Sequence, residues 1–180
     1  MPKIFTQIVA RPDSSRTARR IEEQGFDGIS FVDSQNLSGD VYVAMATAAV
    51  ATETLELSTG VTNPVTRHPA VTASAIGSVQ RVAGDRVQLG IGRGDSALAH
   101  IGRSPARVVD FERYLIAVQK YLKGEEVLFE DLKFGETVSR GVDELGLAAS
   151  AIASQINWLP GRLGKVDVEV AATGPKVISA

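Results

Sequence analysis

Short apolar runs, alternating or β-branched, recur about every thirty residues along this chain, and each is followed by a stretch whose apolar residues fall at helical spacing. That period is the length of a strand plus the helix that carries the chain back to start a parallel neighbour. It constrains the fold to the α/β class, with a parallel sheet. In the first unit Ile4, Phe5, Ile8 and Val9 form a strand, Asp13 or Ser14 caps a helix bearing Ala18 and Ile21, and Gly25 stops it. The second has the strand Ile29 to Val32, a polar turn from Asp33 to Gly39, and a helix burying Val41, Ala44, Met45, Ala48 and Ala49.

In the third unit Leu55 and Leu57 alternate with Glu56 and Ser58, and Pro69 opens a helix with Val71, Ala75, Val79 and Val82, ended by Gly84. The fourth strand carries Val87, Leu89 and Ile91. Its helix is predicted to start at Ser104 and Pro105, to bear Val108, Phe111, Leu115, Val118 and Leu122, and to stop at Gly124. The fifth strand, Val166 to Ala172, comes late. An insertion near 125–160 precedes it, with Val127 to Phe129 as a short strand and Leu145, Ala149, Ile152 and Ile156 as one face of a helix.

No repeat or linker divides the 180 residues, and 44% apolar with 22% charged residues suits one packed domain. A net charge of -2 gives no reason to expect nucleic acid, and Arg11, Arg16, Arg19 and Arg20 read as the solvated face of the first helix. No apolar run reaches the roughly 18 residues of a membrane span, so the expected compartment is the cytoplasm. The chain has no cysteine and two histidines. Thiolate metal sites, disulfides and a cysteine nucleophile are thereby excluded, and redox chemistry here would need a bound organic cofactor.

The loop Thr59-Gly60-Val61-Thr62-Asn63-Pro64-Val65-Thr66-Arg67-His68-Pro69 lies at the C-terminal end of a parallel strand, the end at which α/β proteins bind ligands. His68 is either hydrogen-bonded to local backbone at the helix start or a catalytic base; Asp33, closing the second strand, is either a turn former or a ligand contact. Gly92 and Gly94, in Gly90-Ile91-Gly92-Arg93-Gly94-Asp95, lack the full dinucleotide spacing, and no helix is expected at once. They read equally as a crowded turn or as cofactor contacts. Thr173-Gly174-Pro175-Lys176 follows a strand and opens a helix, a place for a phosphate. Phe111, Tyr114 and Trp158 read as packing residues.

Taken together, the Thr59 to Pro69 loop, Leu89-Gly90-Ile91-Gly92-Arg93-Gly94-Asp95-Ser96 and Ala171-Ala172-Thr173-Gly174-Pro175-Lys176 stand in the order of one superfamily. The chain resembles the bacterial luciferase-like monooxygenases, and within them the deazaflavin-dependent branch that includes methylenetetrahydromethanopterin reductase. The resemblance implies a parallel (β/α)8 TIM-barrel type, of which the chain carries the N-terminal part of about five strands. It also implies a non-prolyl cis peptide in a bulge after the third strand, at Gly60-Val61. By the same resemblance Asp33 lies beside the cofactor ring, Asn63 near its edge, Gly92 and Gly94 at the fourth strand's end, and Thr173 and Gly174 at the cofactor phosphate.

The implied activity is hydride exchange between a deazaflavin, coenzyme F420, and a small organic substrate. The alternatives are an FMN-dependent monooxygenase and a non-catalytic half-barrel. Two departures stand out: Ser34 occupies the place where the branch often has a histidine, and Gly135 to Ser154 is longer than expected. Because the sequence stops early in the helix after the fifth strand, the expectation is either a missing C-terminal half or a homo-oligomer completing the core. In that expectation the inner faces of Val87, Leu89 and Val168 lack an opposite wall.

Overall fold

A computed structural model describes residues 2–132, 152–157, 164–172 and 174–179. The strands β1 (Phe5–Val9), β2 (Gly28–Val32), β3 (Glu56–Thr59) and β4 (Val87–Ile91) alternate with the helices α1 (Ser14–Glu23), α2 (Val41–Ala51) and α3 (Pro69–Ala83). After β4 come a short helix α4 (Asp95–Ala99) and the long α5 (Val108–Lys123). A two-residue strand β5 (Val127–Leu128), a 3-10 turn (Phe129–Leu132), β6 (Ala153–Ser154), β7 (Asp167–Val170) and a single turn α6 (Pro175–Ile178) complete the described elements. The main sheet runs β1-β2-β3-β4-β7 with every neighbour parallel, while β5 and β6 form a separate antiparallel ribbon. This is the α/β architecture of a (β/α)8-barrel type, in part.

The helix starts have local causes. Asp40 accepts from the backbone amides of Tyr42 and Val43, which would otherwise be orphaned at the start of α2. At α3 the His68 side chain takes the capping position and Pro69 the first turn, where a missing N–H costs nothing. Gly25 and Gly124 follow α1 and α5 as expected.

The core lies between the sheet and its helices. Ile29, Phe31, Leu57, Leu89 and Ile91 meet Ala18, Met45, Ala48, Ile76, Phe111, Tyr114 and Val118, all buried. Phe111 and Tyr114 thus pack as expected, and Trp158 lies outside the described residues. On the other face of the sheet, Gln7, Ser30, Ser58 and Gln88 stand in register across β1 to β4.

Several expectations are corrected. Val87 and Leu89 lie in the helix-side core instead of on an unfilled inner face, because the alternation of β4 puts Gln88 opposite to them. In α3 the buried stripe is Thr72, Ala73, Ile76, Val79, Gln80 and Ala83; Val71 and Val82 are exposed. Thr72 can be buried because its hydroxyl bonds the Tyr114 hydroxyl at 2.6 Å. A helix does follow Gly94 at once, and α5 begins at Val108, three residues after Pro105. Ala153 and Ser154, expected to be helical, pair with Leu128 and Val127, and Phe129 leaves that strand for the 3-10 turn. Leu145 and Ala149 lie outside the described residues.

The N-terminal edge of the sheet is held by two charged side chains. Glu22 accepts from the amides of Glu53, Thr54 and Leu55; its burial raises its pKa, and these bonds more than offset that and lower it. Arg86 donates to the carbonyls of Leu55 at 2.7 Å, Ala83 at 3.0 Å, Thr52 at 3.2 Å and Ala49 at 3.3 Å. Arg86→Ala leaves these half-buried carbonyls without their charged donor. The expected loss is roughly 2–4 kcal/mol of unfolding free energy in urea denaturation.

Candidate active site

The site is built where β3 and β4 fall out of step. Ser58 pairs with Gln88, but beyond the strands pairing resumes as Thr62 with Ile91, so the β3 side carries one extra residue. The Thr62 amide donates to the Gly90 carbonyl and the Gly92 amide to the Thr62 carbonyl, both at 2.9 Å. Between these anchors the chain bulges, and the Gly60-Val61 peptide is cis, as the resemblance implied. Gln7 donates from Nε2 to the Gly60 carbonyl at 2.5 Å, and the Gly60 amide donates to the Phe31 carbonyl at 2.7 Å.

Only glycine fits at position 90. A Cβ there would lie 2.2 Å from the Thr59 carbonyl oxygen, inside any allowed contact. The Thr59 hydroxyl in turn donates to the Gly90 carbonyl at 2.6 Å. Gly94 carries φ of 94° and a built Cβ 2.5 Å from Leu98, so it too admits no side chain.

Around the bulge opens a cleft of about 370 Å³, within the roughly 300–1,000 Å³ of small-molecule sites. Val32, Gly60, Val61, Gly92, Gly94 and Ala171 line it, each at or just past the C-terminal end of a strand. Gln7, Ser34, Arg93, Asp95 and Ser96 add polar groups. Four of the expected site residues, Gly60, Val61, Gly92 and Gly94, therefore converge.

The other expected residues stand differently. Asn63 is buried against Gly94; its Oδ1 accepts from the Val65 and Thr66 amides, and its Nδ2 has no hydrogen-bond partner among the described residues. Gly174 precedes α6, with no described atom within 4 Å of a built Cβ. Thr173 lies outside the described residues. His68 caps α3, accepting from the Ala70 amide at 3.2 Å through Nδ1, and is not among the cleft-lining residues. Asp33 is 2% exposed and lies behind the cleft wall, not on its surface.

Asp33 belongs to a buried polar cluster that sequence reading missed. Arg67 reaches its Oδ2 at 2.5 Å and its Oδ1 at 3.4 Å, and also bonds Asp40 Oδ2 at 3.0 Å. Thr62 and Gln35 each donate to Asp33 at 2.7 Å. The guanidinium sits 5.0 Å from the centre of the Tyr42 ring. Burial lowers the Arg67 pKa, but Asp33 and Asp40 outweigh it and hold the group charged; burial pushes the Tyr42 phenol up to about 12. The available signal was Arg67 itself, the single charged residue between Thr59 and Pro69.

Among the described residues no cluster of three or more acidic or histidine side chains suits a metal ion, and no helix is long and apolar enough to cross a membrane. The family described as luciferase-like monooxygenase matches residues 9–142. The chain is 32% identical over 163 residues to a 5,10-methylenetetrahydromethanopterin reductase of Methanolobus tindarius, covering 89% of this chain and 44% of that protein. It thus spans less than half the length of that relative.

Two solved structures share the fold. One is an F420-dependent secondary alcohol dehydrogenase in complex with an F420-acetone adduct, with a TM-score of 0.71 and 20% identity over 97% of this chain and 53% of that one. The other is the oxygenating constituent of 3,6-diketocamphane monooxygenase from Pseudomonas putida in complex with FMN. Its TM-score is 0.61, with 19% identity over 79% of this chain and 44% of that one.

The His68 cap titrates. His68 is exposed at the helix start, and the partial burial of its ring lowers its folded pKa below the ordinary value, which favours the neutral form in the folded chain. Its stabilising contribution is complete above the unfolded pKa of about 6.5 and is lost as pH falls through the folded value. His68→Asn, which can cap without titrating, is expected to flatten that acid-side loss in urea denaturation between about pH 7.5 and 5. His68→Ala is expected to cost about 1 kcal/mol at pH 7.5.

Proposed function

The chain belongs to the luciferase-like monooxygenase family, whose members are oxidoreductases, and on that premise we propose that it holds a deazaflavin, coenzyme F420, over the Gly60-Val61 bulge. The observation that carries the proposal is the convergence of the bulge with Gly92 and Gly94 in one cleft of suitable size. The relative named as a methylenetetrahydromethanopterin reductase favours F420 over FMN. The bound group would supply hydride exchange with a small organic substrate, and the protein would supply its orientation and a dry surface.

The residues present fit such a group. Gly92 leaves the side of the cleft open beside Val61, where an added Cβ would come within 3.1 Å of the valine, and Val61 itself forms the floor. Asn63 has an unpartnered Nδ2 among the described residues, but at 1% exposed it does not line the cleft and stands behind its wall as Asp33 does, so we assign it no direct contact with the ring. Gly174 and Thr173 are assigned to the phosphate, because the backbone at 174 is open to close approach. Gln7 and Ser34 face the cleft from β1 and the end of β2 and are the groups available to a substrate. Ser34 carries no proton at neutral pH that it can readily release; the carboxylate that lines the cleft is Asp95, in the first turn of α4, so acid–base work would fall to it, to the substrate or to solvent.

Spectroscopic titration with F420 and with FMN, each oxidised and reduced, tests the reading. F420 is expected to bind. Gly174→Val is expected to weaken binding at least tenfold with its unfolding free energy in urea within about 0.5 kcal/mol of the parent, since its side chain enters open space. FMN binding without F420 binding would favour the monooxygenase. Binding of neither would favour a half-barrel without catalysis.

A further inference from the structure

Building on the cofactor reading above, we propose that Asp33 and Arg67 are positioning residues, which set the cleft floor through the Thr62 hydroxyl and do not themselves touch the bound ring. The carboxylate has no free direction. Its Oδ2 takes the Thr62 hydroxyl at 2.7 Å and Arg67 Nη1, and its Oδ1 takes Gln35 Nε2 at 2.7 Å with Arg67 Nη2 at longer range. An ionised carboxylate has about four acceptor sites, and all are engaged. It is 2% exposed and does not line the cleft, whereas Val32 and Ser34 on either side of it do.

Thr62 links this cluster to the bulge. It is fully buried, one residue past the cis peptide, and its backbone is bonded on both sides to the β4 end, to the Gly90 carbonyl and from the Gly92 amide. Its hydroxyl therefore ties the returning end of the bulge to the end of β2. Arg67 ties the same point to Asp40, the cap of α2, and its carbonyl accepts from the Tyr114 hydroxyl of α5 at 3.0 Å. Through one planar guanidinium and one carboxylate, β2, α2 and the bulge are held in a single register, to which the Arg67 backbone carbonyl adds α5. Lysine reproduces this poorly, because its ammonium lacks the planar fork whose two terminal nitrogens reach Asp33 and Asp40 separately.

The test separates position from contact and from general stability. In the ligand-free full chain, Thr62→Val, Arg67→Lys and Asp33→Asn are expected to speed amide hydrogen exchange at position 62 and Gly92 at least tenfold relative to Leu57 and Leu89. Thr62→Ser, which keeps the hydroxyl, is expected to match the parent. In titration with F420, Thr62→Val and Arg67→Lys are expected to weaken binding at least tenfold and Thr62→Ser to leave it unchanged.

Uniform acceleration across all four amides, or none, overturns the proposal. So does loss of binding in Asp33→Asn alone, with Thr62→Val and Arg67→Lys at parental affinity, which would mark direct contact. If the parent chain binds neither F420 nor FMN, the cofactor reading fails, and the exchange pattern decides this proposal by itself.

Discussion

The extra residue between the paired positions of β3 and β4 is the constraint on which the rest of the C-terminal face depends. Ser58 opposite Gln88 and Thr62 opposite Ile91 can both hold only if the β3 side bulges, and a bulge must be accommodated by its neighbour. Gly90 accommodates it by bringing backbone against the Thr59 carbonyl, which no other residue allows. The bulge then has no room to relax toward β4. It projects Val61 to the cleft, where that side chain is 38% exposed though it sits among buried strand ends. A register mismatch of one residue thus shapes the wall of the cleft.

Holding that surface requires charge in a place where charge is expensive. Asp33 and Arg67 are desolvated, and a buried pair repays this only when its remaining donors and acceptors are satisfied. Here Gln35, Thr62 and Asp40 meet the pair itself, while Gln35 Oε1 and the Tyr42 hydroxyl beside it have no partner among the described residues. Removing one partner of such a pair typically costs about 3–5 kcal/mol, because the other charge is left buried. The cluster is therefore better understood as specifying one arrangement than as adding net stability, a role polar groups fill when several elements must meet in a fixed register.

Much of this was legible in sequence because it depends on periodicity and on glycine and proline chemistry. The five parallel strands, the starts of α2 and α3 and the convergence of Gly60, Gly92 and Gly94 follow from apolar spacing and turn residues. The misreadings have a common cause. Apolar spacing at Val71 and Val82 suggested the inward face of α3, but burial of Thr72 and Gln80 depends on partners elsewhere in the chain, Tyr114 for the one and the Gly164 carbonyl for the other. Arg67 was similarly opaque, since its two carboxylates lie 27 and 34 residues away. Local pattern carries no record of such partners. Likewise α4 is too short for a periodic signal, and the β5–β6 ribbon rests on a pairing across an insertion.

The two ends of the sheet use charge in opposite ways, and the contrast argues for where function lies. At the N-terminal end, Glu22 and Arg86 bond backbone amides and carbonyls of the α2–β3 connection and of the end of α3, which closes those turns. At the C-terminal end, Asp33 and Arg67 bond side chains and leave the backbone of Gly60, Val61 and Gly92 to form the cleft surface. Backbone satisfied by charged side chains is a stability device; backbone left accessible, beside glycines that keep side chains away, is a site. Because the ion pair stands one layer behind that surface, Ser34 lines the cleft without bonding the bulge, whereas Gln7, bonded to the Gly60 carbonyl, belongs with Asp33 and Arg67 to what holds the floor in place.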